Sequence, residues 1–186
     1  MLKSNYRSVA FSTTTITELM IPSYANFGGK IHGGILLSLM DKVAFACASK
    51  HAGSYCVTVS VDTVDFLQPI EVGELLSLTA KINYVGKTSM LVGISVVSEN
   101  VIQASVRHTN TSFFTMVSKG SDDKPQEVPG LILNTEDEIK KFLEAIERKQ
   151  IKKTYKQGIT KLADSIVPMD SLGRLSDERC KVEILK

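Results

Sequence analysis

Residues 22–41 read PSYANFGGKIHGGILLSLMD, and the reading of this stretch decides the fold. A glycine-rich loop runs into a segment that stays apolar. From Ile35 to Ala48 the residues are mainly Leu, Ile, Met, Val, Phe and Ala, with the carboxylate of Asp41 in their midst. A helix hydrophobic nearly all round belongs in an interior, so the pattern predicts a buried helix from Gly33 or Gly34 to about Lys50, closed by Gly53. Burying a charge is costly unless it is paired, hydrogen-bonded or facing a cavity. Asp41 is therefore the first candidate for function.

Outward from the helix the periodicity changes from helical to two. In YCVTVSVDTVDFL, Val57, Val59 and Val61 alternate with Thr58, Ser60 and Asp62, as in a half-exposed strand. Strand-like runs follow from Glu74 to Val85, Thr88 to Ser98 and Val101 to Ser118, and a β-branched run from Ser8 to Leu19 precedes the loop. The turns at Val85-Gly86-Lys87 and Glu99-Asn100 are too short for crossovers, so the strands are expected to pair antiparallel. One buried helix and one antiparallel sheet predict an α+β layer in which the sheet wraps around the helix. One sheet cannot cover a helix that is apolar on every side, and a second subunit is the expected cover.

Composition sets wider bounds. A chain of 186 residues, 43% hydrophobic and 23% charged with net charge +2, has the make-up of an ordinary globular protein and gives no sign of a nucleic-acid partner. It has no apolar run of the roughly eighteen residues that span a bilayer, and MLKSNYRSVAF lacks the core of a secretory signal. A cytoplasmic location without a membrane partner is expected. Cys47, Cys56 and Cys180 have no CxxC spacing, so neither a disulfide framework nor a metal site is expected. His51 and His108 read as structural.

After Ser118 the charge density rises: the remainder holds 14 of the 22 basic and 13 of the 20 acidic residues. Residues 119–134 read as a linker and 135–186 as a charged extension. Thr135 and Glu138 have capping-box spacing before Ile139, Phe142, Leu143 and Ile146, which predicts a helix over about 135–149. The basic run KQIKKTYK reads as a solvated helix end, with contact to phosphate groups or an acidic partner as the alternative, and from Gly158 onward no regular structure is expected.

The chemistry lies where the loop meets the helix. The first N–H groups of a helix lack intrahelical partners, and glycines at 33 and 34 let a ligand approach them, as an oxyanion site needs. Asp41, two turns further in, has Leu37, Ser38, Ala44 and Phe45 as helical neighbours. It is placed to act as a general base on water or as a nucleophile, which suits acyl transfer. Gly86-Lys87-Thr88 looks like the end of a phosphate-binding loop, but Lys81 occupies the earlier glycine position and a strand follows. It reads as a tight turn in which Lys87 can attract a phosphate.

With Asn26, His32-Gly33-Gly34 and Met40-Asp41, residues 22–41 resemble the hotdog-fold acyl-CoA thioesterases, in particular the cytosolic acyl-CoA hydrolase group that includes the YciA-type and brain-type enzymes. The resemblance continues through Thr58, Asp65-Phe66-Leu67-Gln68-Pro69-Ile70 with Gly73-Glu74, and Tyr84 to Ser89, and so covers about residues 8–118. It implies a single hotdog domain over 8–118 that hydrolyses acyl-CoA without a cofactor, CoA being part of substrate and product. It further implies that Asp41 is the catalytic carboxylate, that Asn26 positions water or the thioester, that the Gly33 and Gly34 backbone polarises the carbonyl, and that Thr58 lies near the reacting centre. Gly86, Lys87, Thr88 and Ser89 would contact CoA. The site would form between two subunits, in a dimer or a trimer of dimers. Tyr24 departs from the pattern where relatives often carry an acidic residue, and the tail after Ser118 does not match it. Two alternatives stand beside hydrolysis: a hotdog dehydratase or hydratase using His32 with Asp41, and a non-catalytic acyl-CoA sensor.

Overall fold

The computed structural model describes residues 5–64, 66 and 68–183; Asp65 and Leu67 of the DFLQPI run lie outside the described residues, as do residues 1–4 and 184–186. In chain order the elements are β1 (Tyr6–Ser8), α1 (Val9–Ser12), β2 (Thr14–Leu19), a 3-10 turn (Pro22–Tyr24), α2 (Gly33–Ala52), β3 (Tyr55–Val61), β4 (Leu75–Val85), β5 (Ser89–Asn100), β6 (Ser105–Lys119), β7 (Gly130–Ile132), α3 (Glu136–Ser165) and a 3-10 helix (Met169–Leu175).

Five strands form one antiparallel sheet in the order β2-β4-β5-β6-β3. Period-two alternation aims Leu76, Leu78, Ala80 and Ile82 of β4, and Met90, Val92, Ile94 and Val96 of β5, into a core they share with α2. The chain leaves the sheet at edge strand β2, passes along α2 and re-enters at the opposite edge as β3. The helix thereby lies across the sheet, as the hotdog fold requires.

Only one face of α2 is buried, through Leu36, Leu39, Met40, Val43, Ala44, Cys47, Ala48 and His51. Leu37, Asp41, Lys42 and Phe45 are exposed because the sheet covers a single side, the incomplete cover expected of one sheet over this helix. Burial pushes the Cys47 thiol up to about 12, so it behaves as a small apolar core residue.

The C-terminal end of α2 is held firmly. Gly53 closes it at φ 72°, a left-handed conformation that favours glycine, and Arg7 donates to the carbonyls of Lys50 at 2.8 Å and His51 at 2.7 Å. His51 itself is buried, with Nε2 3.1 Å from the Pro129 carbonyl and Nδ1 3.3 Å from the Ser12 hydroxyl. Burial above all lowers its pKa; the Pro129 bond opposes this shift and the nearby Arg7 charge adds to it. Where the folded imidazole binds a proton less readily than the unfolded one, stability rises with pH. This contribution is complete above about pH 6.5 and is lost on acidification toward the lower folded value. The urea midpoint is expected to fall between about pH 7.5 and pH 5.5, and to fall less in His51→Gln. Equal falls in the two proteins would contradict the assignment.

Several boundaries differ from the sequence reading. The first strand, expected over Ser8 to Leu19, is interrupted by α1, whose N-cap Ser8 accepts from the Phe11 N–H. The turn expected at Glu99-Asn100 sits at residues 101–104, with Ala104 at φ 49°. The segment read as a linker contains β7, which pairs parallel with β1, and the Val128 N–H donates to the Lys87 carbonyl at 3.0 Å. The Thr135 hydroxyl accepts from the Glu138 N–H at 3.2 Å, and the Glu138 carboxylate reaches back to the Asn134 N–H at 2.6 Å. From there α3 runs through Gly158 to Ser165, beyond the expected end near Lys149. The chain divides into two compact units, Met1–Ala145 and Ile146–Lys186.

Candidate active site

Asp41 stands on the uncovered side of α2, stacked between Leu37 and Phe45 at four-residue spacing. Its partner comes from β3, where the Thr58 hydroxyl donates to Asp41 Oδ1 at 2.6 Å. Met116 Sδ lies 3.2 Å from the same hydroxyl, but one proton serves one strong acceptor and the carboxylate is the stronger. The β3–β6 register shifts between Thr58 and Ser60, so Val59 is an extra residue beside the contact. Such bulges locally re-aim side chains. Phe45 rests on Tyr55 with ring centroids 5.8 Å apart, so apolar surface flanks the carboxylate.

At the start of the helix, His32 is the N-cap, its Nδ1 accepting from the Gly34 N–H at 2.9 Å. The Gly34 donor is thereby engaged, whereas the Gly33 N–H has no acceptor among the described residues. A Cβ at Gly33 would lie 3.4 Å from the Phe66 ring, which stands over this end of the helix; one at Gly34 would lie 3.1 Å from His32 Nδ1. The sequence marks the glycines and places His32 in the loop beside them, but not Phe66. The two-residue step from His32 to Gly34 is the local signal for the cap, while nothing local points to Phe66.

The Asn26 side chain is turned onto its own loop, its Oδ1 accepting from the N–H groups of Gly28 at 2.8 Å and Lys30 at 3.3 Å. Its backbone N–H donates to the Lys30 carbonyl at 2.7 Å, and the His32 N–H donates to Tyr24. The loop is thus a built support for the helix start. Tyr24 in turn donates its hydroxyl to Glu18 at 2.9 Å, a bond that, with the Glu18 charge and a smaller burial effect, raises the phenol pKa.

Gly86, Lys87, Thr88 and Ser89 form the β4–β5 turn, closed by a Gly86 N–H to Ser89 carbonyl bond of 2.7 Å. Register aligns Ser89 with Val117 and Val117 with Val57, so the turn lies two strand spacings, about 10 Å, from β3. The structure thus joins Asp41 to Thr58, gathers Gly33, Gly34 and the Asn26 loop at the helix start, and leaves the turn apart from both. Among the described residues, no group of three or more His, Cys, Asp or Glu could hold a metal ion.

A family model described as the thioesterase superfamily matches residues 28–105. Protein VdlD of Helicobacter pylori is 42% identical over 80% of this chain and 88% of its own. A hexameric acyl-CoA thioesterase solved in its apo form superposes with a TM-score of 0.78 at 37% identity, covering 81% of this chain and 96% of that one. An acyl-CoA hydrolase of Staphylococcus aureus, solved with butyryl-CoA, CoA and CoA disulfide, gives a TM-score of 0.74 at 31% identity over 85% of this chain and 99% of that one. Variants of that enzyme with an Asn, an Asp or a Thr replaced by Ala have also been solved. In that order, those three positions are fifteen and seventeen residues apart, as are Asn26, Asp41 and Thr58 here.

Proposed function

Since this chain belongs to the thioesterase superfamily, we propose that it hydrolyses acyl-CoA to a free carboxylic acid and CoA with Asp41 as the catalytic carboxylate. The Thr58–Asp41 hydrogen bond on the uncovered face of α2 is the observation that carries the assignment. Thr58 orients the carboxylate through Oδ1, leaving Oδ2 toward the substrate. Asp41 either takes a proton from water as the water attacks the thioester carbon, or attacks that carbon itself to form an anhydride that water then opens. In both routes the tetrahedral oxyanion collapses and expels the CoA thiolate. The scheme invokes no metal or redox group.

The oxyanion donor comes from a second copy of the chain. Gly33 and Asp41 are eight residues apart on one helix, about 12 Å along its axis, whereas a reacting carbonyl needs both groups at about 3 Å. Pairing two copies brings the Gly33 N–H of one to the Asp41 of the other, covers Leu37 and Phe45, and lets the Asn26 Nδ2 of the facing loop hold water or the thioester. A homo-oligomer, as a dimer or a trimer of dimers, is therefore part of the proposal; the hexameric relative supports it. The turn from Gly86 to Ser89, with exposed Lys87, is assigned to the CoA phosphates. The same reading keeps 8–118 as the catalytic domain, 119–134 as connecting segment and 135–186 as an extension, in a cytoplasmic protein. His32 Nδ1 accepts from the Gly34 N–H, which puts the ring proton on Nε2 and weighs against the ring as the base of the dehydratase alternative.

Thiol release from short, medium and long acyl-CoAs tests the reaction, and Thr58→Val tests the positioning role. Losing one hydrogen bond to a charged group is expected to lower turnover about 10- to 100-fold while the oligomer persists. An unaltered rate would remove Thr58 from the scheme.

A further inference from the structure

The second compact unit, Ile146–Lys186, holds no buried side chain among its described residues. Within α3, Ile151, Tyr155, Ile159 and Leu162 are 68%, 66%, 47% and 45% exposed. At about 100° per residue these four fall within a sector roughly 80° wide, an apolar stripe open to water. Lys149, Lys152, Lys153 and Lys156 fall in the adjoining sector. Residues 146–165 carry six Lys or Arg against two acidic residues.

We propose that this helix lies on an anionic lipid surface, with the stripe in the headgroup layer and the flanking lysines on the lipid phosphates. A basic helix with an apolar face and little overall hydrophobicity has the make-up of an in-plane membrane contact. Charge selects this occupant over a second copy of the same helix. Side by side, two copies would set the lysines of 149–156 against each other or, reversed, against a stretch whose one carboxylate is Asp164. An anionic surface sets no like charge against any of them. This contact is distinct from spanning: no helix of the described residues is long and apolar enough to cross a membrane. It takes up the phosphate-contacting alternative for KQIKKTYK and stands independently of the proposed reaction.

The test is flotation of the full chain with phosphatidylcholine vesicles, with and without phosphatidylglycerol, at low and high salt. Two double variants are compared, Lys153→Glu with Lys156→Glu and Ile159→Asn with Leu162→Asn, with light scattering and thermal melting run on each. The wild type is expected to float with phosphatidylglycerol-containing vesicles at low salt and to be released by salt. Each double variant should bind about tenfold or more weakly, with mass and melting unchanged. Failure of the wild type to bind, or equal binding by either variant, would overturn the proposal. So would a fall in mass in the Ile159/Leu162 variant, which would make a second copy the occupant of the stripe.

Discussion

Asp41→Asn is expected to lower acyl-CoA turnover by about 10²- to 10⁴-fold, the range lost with a positioned general base, while substrate binding and the oligomer remain. The substitution keeps the shape of the side chain and an oxygen for the Thr58 hydroxyl, so the local geometry persists. What it removes is the negative charge that draws a proton from water or attacks the thioester. Because Asp41 is exposed within its own chain, its contribution to the fold is small. Kinetics with a parallel melting curve separate the two effects: unchanged turnover, or loss of the fold, would contradict the role given to Asp41.

Glu74→Gln should produce the largest loss of stability. Glu74 is 4% exposed and its carboxylate is held from three sides: Arg107 at 2.7 and 2.8 Å, the Ser98 hydroxyl at 2.6 Å and the Glu71 N–H at 3.1 Å. Burial by itself would raise its pKa, but the bonds from Ser98, Glu71 and Arg107 together hold it below the usual carboxylate value. Breaking such a pair strands the partner charge. The expected cost is about 2–4 kcal/mol, toward the low side for a buried pair because the Arg107 side chain is 34% exposed, and it corresponds to roughly 10 °C of melting temperature. Replacing both members with Glu74→Leu and Arg107→Met should recover only part of the loss, because the buried Ser98 hydroxyl and the Glu71 N–H then lack their acceptor. The depressed pKa also fixes the sign of the pH effect. This stabilisation is present above the unfolded value and disappears as pH falls through the folded one. Equal melting of wild type and Glu74→Gln near neutral pH would show that the pair contributes nothing.

Local patterns carried most of the fold. The valines of β3 and the alternation in β4 and β5 announce strands because each residue's side of the sheet follows from its position alone, and the glycines at 33, 34 and 53 mark the ends of α2. What local pattern cannot express is partnership between distant segments. Tyr6 beside Gly130, Glu74 on Arg107 and Arg7 on the last carbonyls of α2 are settled by tertiary packing. The same limit applies to the site. Asp41 stood out as a carboxylate among apolar residues, but that it faces outward depends on how much of α2 a single sheet covers. Asn26 and His32 were legible as loop residues, and their hydrogen bonds follow from the turns they make. Phe66 over Gly33 depends on a connection after β3 whose course no short-range pattern dictates. In α3 the capping box marks the start well, whereas Gly158 misleads as a stop because neighbouring residues continue the helix through it.

The most direct test of the central claim is thiol release from a panel of short, medium and long acyl-CoAs by wild type and Asp41→Asn, with acyl-CoA binding to each protein measured alongside. Release by the wild type that collapses in the variant while binding persists is the predicted result. Binding without release from any member, or equal release by both proteins, would contradict it.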